Sequence, residues 1–132
     1  MTDSPAVSGI PRLILRAEGL AICGLAILLY SKAGDSWWLF AILFLAPDLS
    51  FLGYLGGARV GAIVYNAAHT LVAPLALAAA GLLLPAFILV PLALIWAAHI
   101  GFDRLLGYGL KYGAGFAFTH LGRIGKASAD KP

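Results

Sequence analysis

Between Arg59 and Asp103 the chain has no aspartate, glutamate, lysine or arginine. One membrane-spanning helix needs about 20 residues, so an uncharged interval of this length holds two. The rest of the chain has the same character. Of its 132 residues, 61% are hydrophobic and only 11% are charged, and the mean hydropathy is +0.93. Soluble domains carry roughly 25% charged residues. A core of this size cannot hide so much apolar surface, and lipid must cover the remainder. The expectation is an all-α, polytopic membrane protein with one domain. The net charge of +3 is small and gives no reason to expect a nucleic-acid partner. The single cysteine, Cys23, lies inside an apolar run. It has no intramolecular disulfide partner and reads as a small packing residue.

Punctuation along the chain divides it into four spans, predicted at about 12–30, 37–56, 58–80 and 85–108. Pro11 suits the first turn of a helix. The first apolar segment contains Arg16 and Glu18, lacks a small-residue cleavage site and is followed by further spans, so it reads as a span and not a signal peptide. The second opens on Trp37-Trp38, a pair suited to the headgroup level, and Pro47 is expected to kink it. An apolar hairpin is expected at Gly81–Pro85, with Pro74 and Pro91 as further candidate kinks. Residues 1–112 thus form a four-helix transmembrane domain, and 113–132 a basic cytoplasmic or interfacial tail. Eight of the nine basic residues fall on one side of this arrangement, Lys32 being the exception. The positive-inside rule then puts both termini in the cytoplasm.

Against this background the polar residues stand out. At 1.5 Å per residue, Glu18 lies about 9 Å into the first helix and Asp48 about 12 Å from the cytoplasmic end of the second. On the same scale His69 lies about 15 Å into the third, with His99 about 12 Å and Asp103 about 6 Å from the inner end of the fourth. His99 and Asp103, four apart, share one helix face. Four helices thus each offer a ligand-type side chain to the cytoplasmic half. Ionisable groups at such depth face the bundle interior and mark function by default. Carboxylates and imidazoles without a thiolate suit Zn, Mn or Fe, and helix bundles build metal sites from such side chains. The expected metal ligands are Asp48, His69, His99 and Asp103, with Glu18 and Asp48 as catalytic acid/base groups. Asn66 and Arg104 would stand behind them as supporting groups. His120, in the tail, falls outside this set. Tyr54, Tyr65, Trp96 and Tyr108 read as packing or interface residues.

Pro47-Asp48, His69-Thr70, His99-x-x-x-Asp103 and Gly107-Tyr108-Gly109 together resemble the small bacterial membrane family called domain of unknown function 4260, from Glu18 to about Lys111. That resemblance implies a multi-pass protein of the bacterial inner membrane. More distantly, the order is similar to the LexA-regulated, membrane-bound metal-dependent hydrolases. These carry Pro-Asp-x-Asp-His, His-Arg-Gly-x-Thr-His-Ser and His-x-x-x-Asp. Asp48, His69, His99 and Asp103 match positions in those motifs, while Ser50, Phe51 and Val64 replace an Asp and two His. This second resemblance implies a reduced metal site and hydrolytic chemistry.

The leading expectation is an intramembrane metal site facing the cytoplasm, hydrolysing a lipid-like substrate. A proton or metal-ion carrier would use the same carboxylates and histidines, but the outer half of the bundle shows no polar path. A structural subunit would use them only to fix helix packing. Membrane lipid is the expected partner. Glycines at 53–57 and 107–115 permit close helix contacts, whether within one subunit or in a homo-oligomer.

Overall fold

The computed structural model describes residues 6–113 and 115–124. Its helices are α1 (Gly9–Ala33), α2 (Trp37–Phe44), α3 (Ala58–His69), α4 (Val72–Leu83) and α5 (Leu89–Leu106). A 3-10 segment, Ala46–Gly56, continues α2. A two-residue hairpin pairs β1 (Phe118–Thr119) with β2 (Gly122–Arg123). Four stretches are long and apolar enough to cross a membrane: Gly9–Ala33, Trp37–Gly56, Ala58–Leu83 and Leu89–Leu106. Large apolar side chains such as Leu55, Leu75 and Leu83 point outward, as they do when lipid is the solvent. The chain is a multi-pass, all-α membrane protein.

Helices α1 and α5, the first and last spans among the described residues, make the most extensive contact. Small residues on both sides let the backbones touch. A Cβ added to Gly19 would lie 2.6 Å from the Gly101 carbonyl oxygen, and one added to Gly101 would lie 2.7 Å from the Cys23 nitrogen. Cys23, Ala26 and Ala98 continue this seam, buried beneath Phe40 and Phe44. Close backbone approach of this kind substitutes for the hydrophobic drive that lipid removes. The remaining packing sets α3 against the 3-10 segment and α4 against α5.

Three sequence expectations need correction. The last connection lies at residues 84–88, and Gly81 sits inside α4, packed on Leu89 and Val90. The fourth span therefore begins at Leu89, not Pro85. Pro91 produces no kink because it falls in the first turn of α5, where a missing N–H leaves no bond unmade. The third span is not one helix. It stops at His69 and restarts at Val72, with Thr70 extended at φ −86° and ψ 139°.

At the end holding the α1 N-terminus, the chain after α5 folds back as a cap. Gly107, at φ 91°, ends α5. Its N–H donates to the Arg104 carbonyl at 3.0 Å, and that of Tyr108 donates to the Asp103 carbonyl at 2.8 Å, the Schellman pattern that glycine allows. Arg16 Nε donates to the Leu105 carbonyl at 2.8 Å, and Arg12 Nε to that of Leu121. The Val7 N–H donates to the His120 carbonyl at 2.7 Å. The start of α1 and the tail up to Ile124 are thus tied together at one end of the bundle. Residues 125–132 lie outside the described residues.

Candidate metal centre

The two breaks in the helices meet at the same place. Pro47 has no N–H to continue α2, and the chain tightens into the 3-10 segment that carries Asp48 in its first turn. A 3-10 run this long inside a span is uncommon and often marks a functional region. In the third span, the N–H groups of Val72 and Ala73 turn to the Thr70 hydroxyl and carbonyl, each at 3.3 Å. This frees the carbonyls of Ala68 and His69. Helix α5 takes both: Trp96 Nε1 donates to Ala68 O at 2.7 Å, and Arg104 Nη2 to His69 O at 3.2 Å. Broken helices persist in membranes where neighbours re-satisfy the backbone in this way.

The breaks aim Asp48 and His69 at His99 and Asp103, one turn apart on α5. His69 Nε2 and His99 Nε2 are 3.2 Å apart. Asp48 Oδ1 lies 3.4 Å from the first and 3.2 Å from the second. Asp103 Oδ2 lies at the same two distances, 3.4 and 3.2 Å. All four donor atoms fall within 4.8 Å of one another. Around a tetrahedral ion with bonds of about 2.0–2.1 Å, ligand atoms are about 3.3–3.4 Å apart. Five of the six edges are within a few tenths of an ångström of that spacing.

Burial and hydrogen bonding settle what those atoms present. The histidine side chains are 3–4% exposed, Asp103 15% and Asp48 40%. The Nδ1–H of His69 donates to the Tyr65 carbonyl at 2.9 Å, and its ring stacks on Tyr65 at 3.7 Å between centroids. A neutral His69 so held turns a bare lone pair at Nε2 toward the centre, the arrangement that orients a histidine ligand. His99 Nδ1 is buried without a hydrogen bond that meets ordinary geometry, facing Phe44. The His69 lone pair, one ring nitrogen of His99 and two carboxylate oxygens meet at one point, where protons or a cation offset their mutual repulsion.

Other expected site residues stand elsewhere. Glu18 is exposed on α1 and is not part of the cluster. The side that α1 turns to α5 is the Gly19–Cys23–Ala26–Tyr30 stripe, and Glu18 lies beside it. Asn66 does not address the ligands: its amide accepts from Lys111 N at 2.6 Å and donates to Lys111 O at 2.8 Å, clamping the cap. Arg104 supports His69 through its backbone and not through its ring. His120 holds the cap, its Nδ1 accepting from the Leu110 N–H at 2.8 Å. Burial and the nearby Arg104 hold its pKa below the usual histidine value.

Two cavities flank the centre. In a 3-10 helix residues three apart share a face, so Pro47 with Ser50 and Asp48 with Phe51 look to different sides. One cavity, of about 330 Å³, is lined by Asp48, Asp103, Tyr65, Phe51, Phe116 and Lys111. The other, of about 390 Å³, is almost wholly apolar and lined among others by Pro47, Ser50, Ala68, Leu77, Ile95 and Trp96. Lys111 was missed as a site residue because its place depends on the cap. It is buried, and desolvation lowers its pKa to about 8.

A family described as "Domain of unknown function (DUF4260)" matches residues 12–124, a stretch that contains every residue of the cluster. No curated protein and no solved structure is significantly similar to the chain.

Proposed function

The chain belongs to the DUF4260 family, and we propose that Asp48, His69, His99 and Asp103 bind one divalent metal ion at the cytoplasmic end of the bundle. The carrying observation is the near-tetrahedral spacing of four donor atoms from three spans, with His69 held in the tautomer of a ligand. The donor set suits Zn, with Mn or Fe as the other candidates. Two carboxylates would neutralise a dication, which makes the burial of the histidines inexpensive.

The chemistry best matched to this centre is hydrolysis of a lipid-like substrate in the inner membrane. When held there by His69, His99 and Asp103, with Asp48 yielding its place, the metal would supply Lewis acidity and a water acidic enough to act as nucleophile near neutral pH. Asp48 is the most accessible of the four and lines the polar cavity. It is the carboxylate placed to exchange a proton with a molecule held there. The other donors are buried and serve to hold position. An amphiphilic substrate is supported by the apolar cavity on the other face of the 3-10 segment.

Elemental analysis of detergent-purified protein tests the metal reading. Near-stoichiometric metal in the wild type, lost in His99→Ala and Asp48→Asn, is the expected result. Absence of metal in the wild type after reconstitution with Zn, Mn and Fe would overturn it.

A further inference from the structure

Lys111 is a fixed cation whose ammonium makes no ion pair among the described residues, with Asp103 across the same cavity as a more distant opposite charge. Its backbone is clamped on both sides by Asn66 and bridged to Thr119. Only 4% of the residue is exposed. The ammonium lies 3.7 Å from the Phe116 ring centre, 4.7 Å from that of Tyr65 and 5.9 Å from that of Phe51. It donates one hydrogen bond, to the Phe116 carbonyl at 2.8 Å. Among the described residues no carboxylate is within ion-pair distance of it. Aromatic faces and one carbonyl stabilise an ammonium less than an ion pair or water would, and an ammonium has three donors to satisfy.

This cation shares its cavity with Asp48 and Asp103, two of the donors assigned to the metal. A dication there would cancel both carboxylates and leave the cavity with the uncompensated charge of Lys111. We infer that this cavity binds the phosphate group of the substrate, with the Lys111 ammonium holding one oxygen while another faces the metal centre. The inference rests on the metal reading and names the substrate class for the same site. A tetrahedral, multiply charged anion suits a point-charge ammonium with rotatable donors, and a cavity of about 330 Å³ has room for it. The same chemistry is offered by a phospholipid headgroup and by free phosphate.

Titration calorimetry on the metal-loaded, detergent-solubilised protein separates these sources, with inorganic phosphate, dihexanoyl phosphatidate and neutral dihexanoylglycerol as probes. Both phosphate-bearing probes bind if the inference holds, and tighter binding of phosphatidate marks the lipid as the source. Lys111→Met weakens them about tenfold or more, as loss of a charge-assisted contact should, while its metal content stays at the wild-type level. Equal binding by wild type and Lys111→Met, or equal binding of dihexanoylglycerol, overturns the inference. Should Lys111→Met fail to fold, the lysine ¹⁵Nζ signal of Lys111 in the wild type, assigned by its absence in Lys111→Arg, decides. It shifts on adding phosphate, or the inference is wrong. Metal content of the same samples keeps the two readings apart. Absence of phosphate binding in the wild type with metal retained overturns this inference alone, whereas absence of metal overturns the reading on which it rests.

Discussion

His69 Nε2 and His99 Nε2 stand 3.2 Å apart, brought together by a helix that stops at one of them and a helix that passes the other. Neutral imidazoles at that distance make one hydrogen bond if one tautomer donates. The Tyr65 carbonyl already claims the His69 proton at Nδ1, which leaves a lone pair at His69 Nε2 that accepts only if His99 donates and that faces the Asp48 and Asp103 oxygens acceptor to acceptor. A bound cation relieves all these contacts at once.

Metal should therefore stabilise the fold itself. A ligand that binds only the folded state at a hundred times its Kd adds about 2.7 kcal/mol. Thermal unfolding in detergent should shift upward with added Zn in the wild type and fall back with a chelator, whereas His99→Ala should respond to neither. A wild type indifferent to both would count against the centre.

The seam between α1 and α5 makes a sharper contrast. Gly101→Ala places a methyl 2.7 Å from the Cys23 backbone nitrogen, which forces the two helices apart. Overpacking of this kind costs about 1–3 kcal/mol. Gly24 has nothing within 4 Å of the equivalent position, so Gly24→Ala should leave the melting temperature unchanged or raise it slightly. Similar melting temperatures for the two variants would contradict the close crossing.

Trp96→Phe removes the donor to the Ala68 carbonyl and leaves that group without its partner beside the apolar cavity. The expected loss is about 1–3 kcal/mol. Because the same break orients His69, metal affinity should weaken as well, although Trp96 touches no ligand atom. Unchanged affinity in a destabilised variant would show that the break and the centre are independent.

Acidification should loosen the cap. His120 accepts a hydrogen bond at Nδ1 and so must be unprotonated there, and its folded-state pKa lies below the ordinary value. The unfolded chain then takes up a proton first, and stability declines as pH falls below about 6.5 until the folded-state pKa is passed. Hydrogen-exchange protection of the Leu110 amide should drop over that range in the wild type. Constant protection would mean that the imidazole does not hold this turn.

Much of the centre was legible from the chain. Asp48, His69, His99 and Asp103 are ligand-type side chains at similar depth in an otherwise apolar sequence, and depth follows from counting residues along helices. Glu18 passed the same count and still fell outside. Depth does not say which way a helix is rotated, and the rotation of α1 is set by the small residues Gly19, Cys23 and Ala26. Their spacing of four and three was available as a signal. The break after His69 was less visible, because Pro74 pointed only to a kink. Lys111 and Asn66 could not be paired from local pattern, since they meet across 45 positions through a cap whose strands are two residues long.

The crossing of α1 and α5 also orders events during synthesis. Two of the four donors, and the groups that stabilise the break at His69, belong to α5, which leaves the ribosome after the other described helices. Gly19 waits for Gly101, and Asp48 and His69 wait for His99 and Asp103. Contacts so distant in sequence form late. A nascent chain in which α5 has not yet inserted has no such centre, so metal uptake, on the proposed reading, would report that α5 is in place.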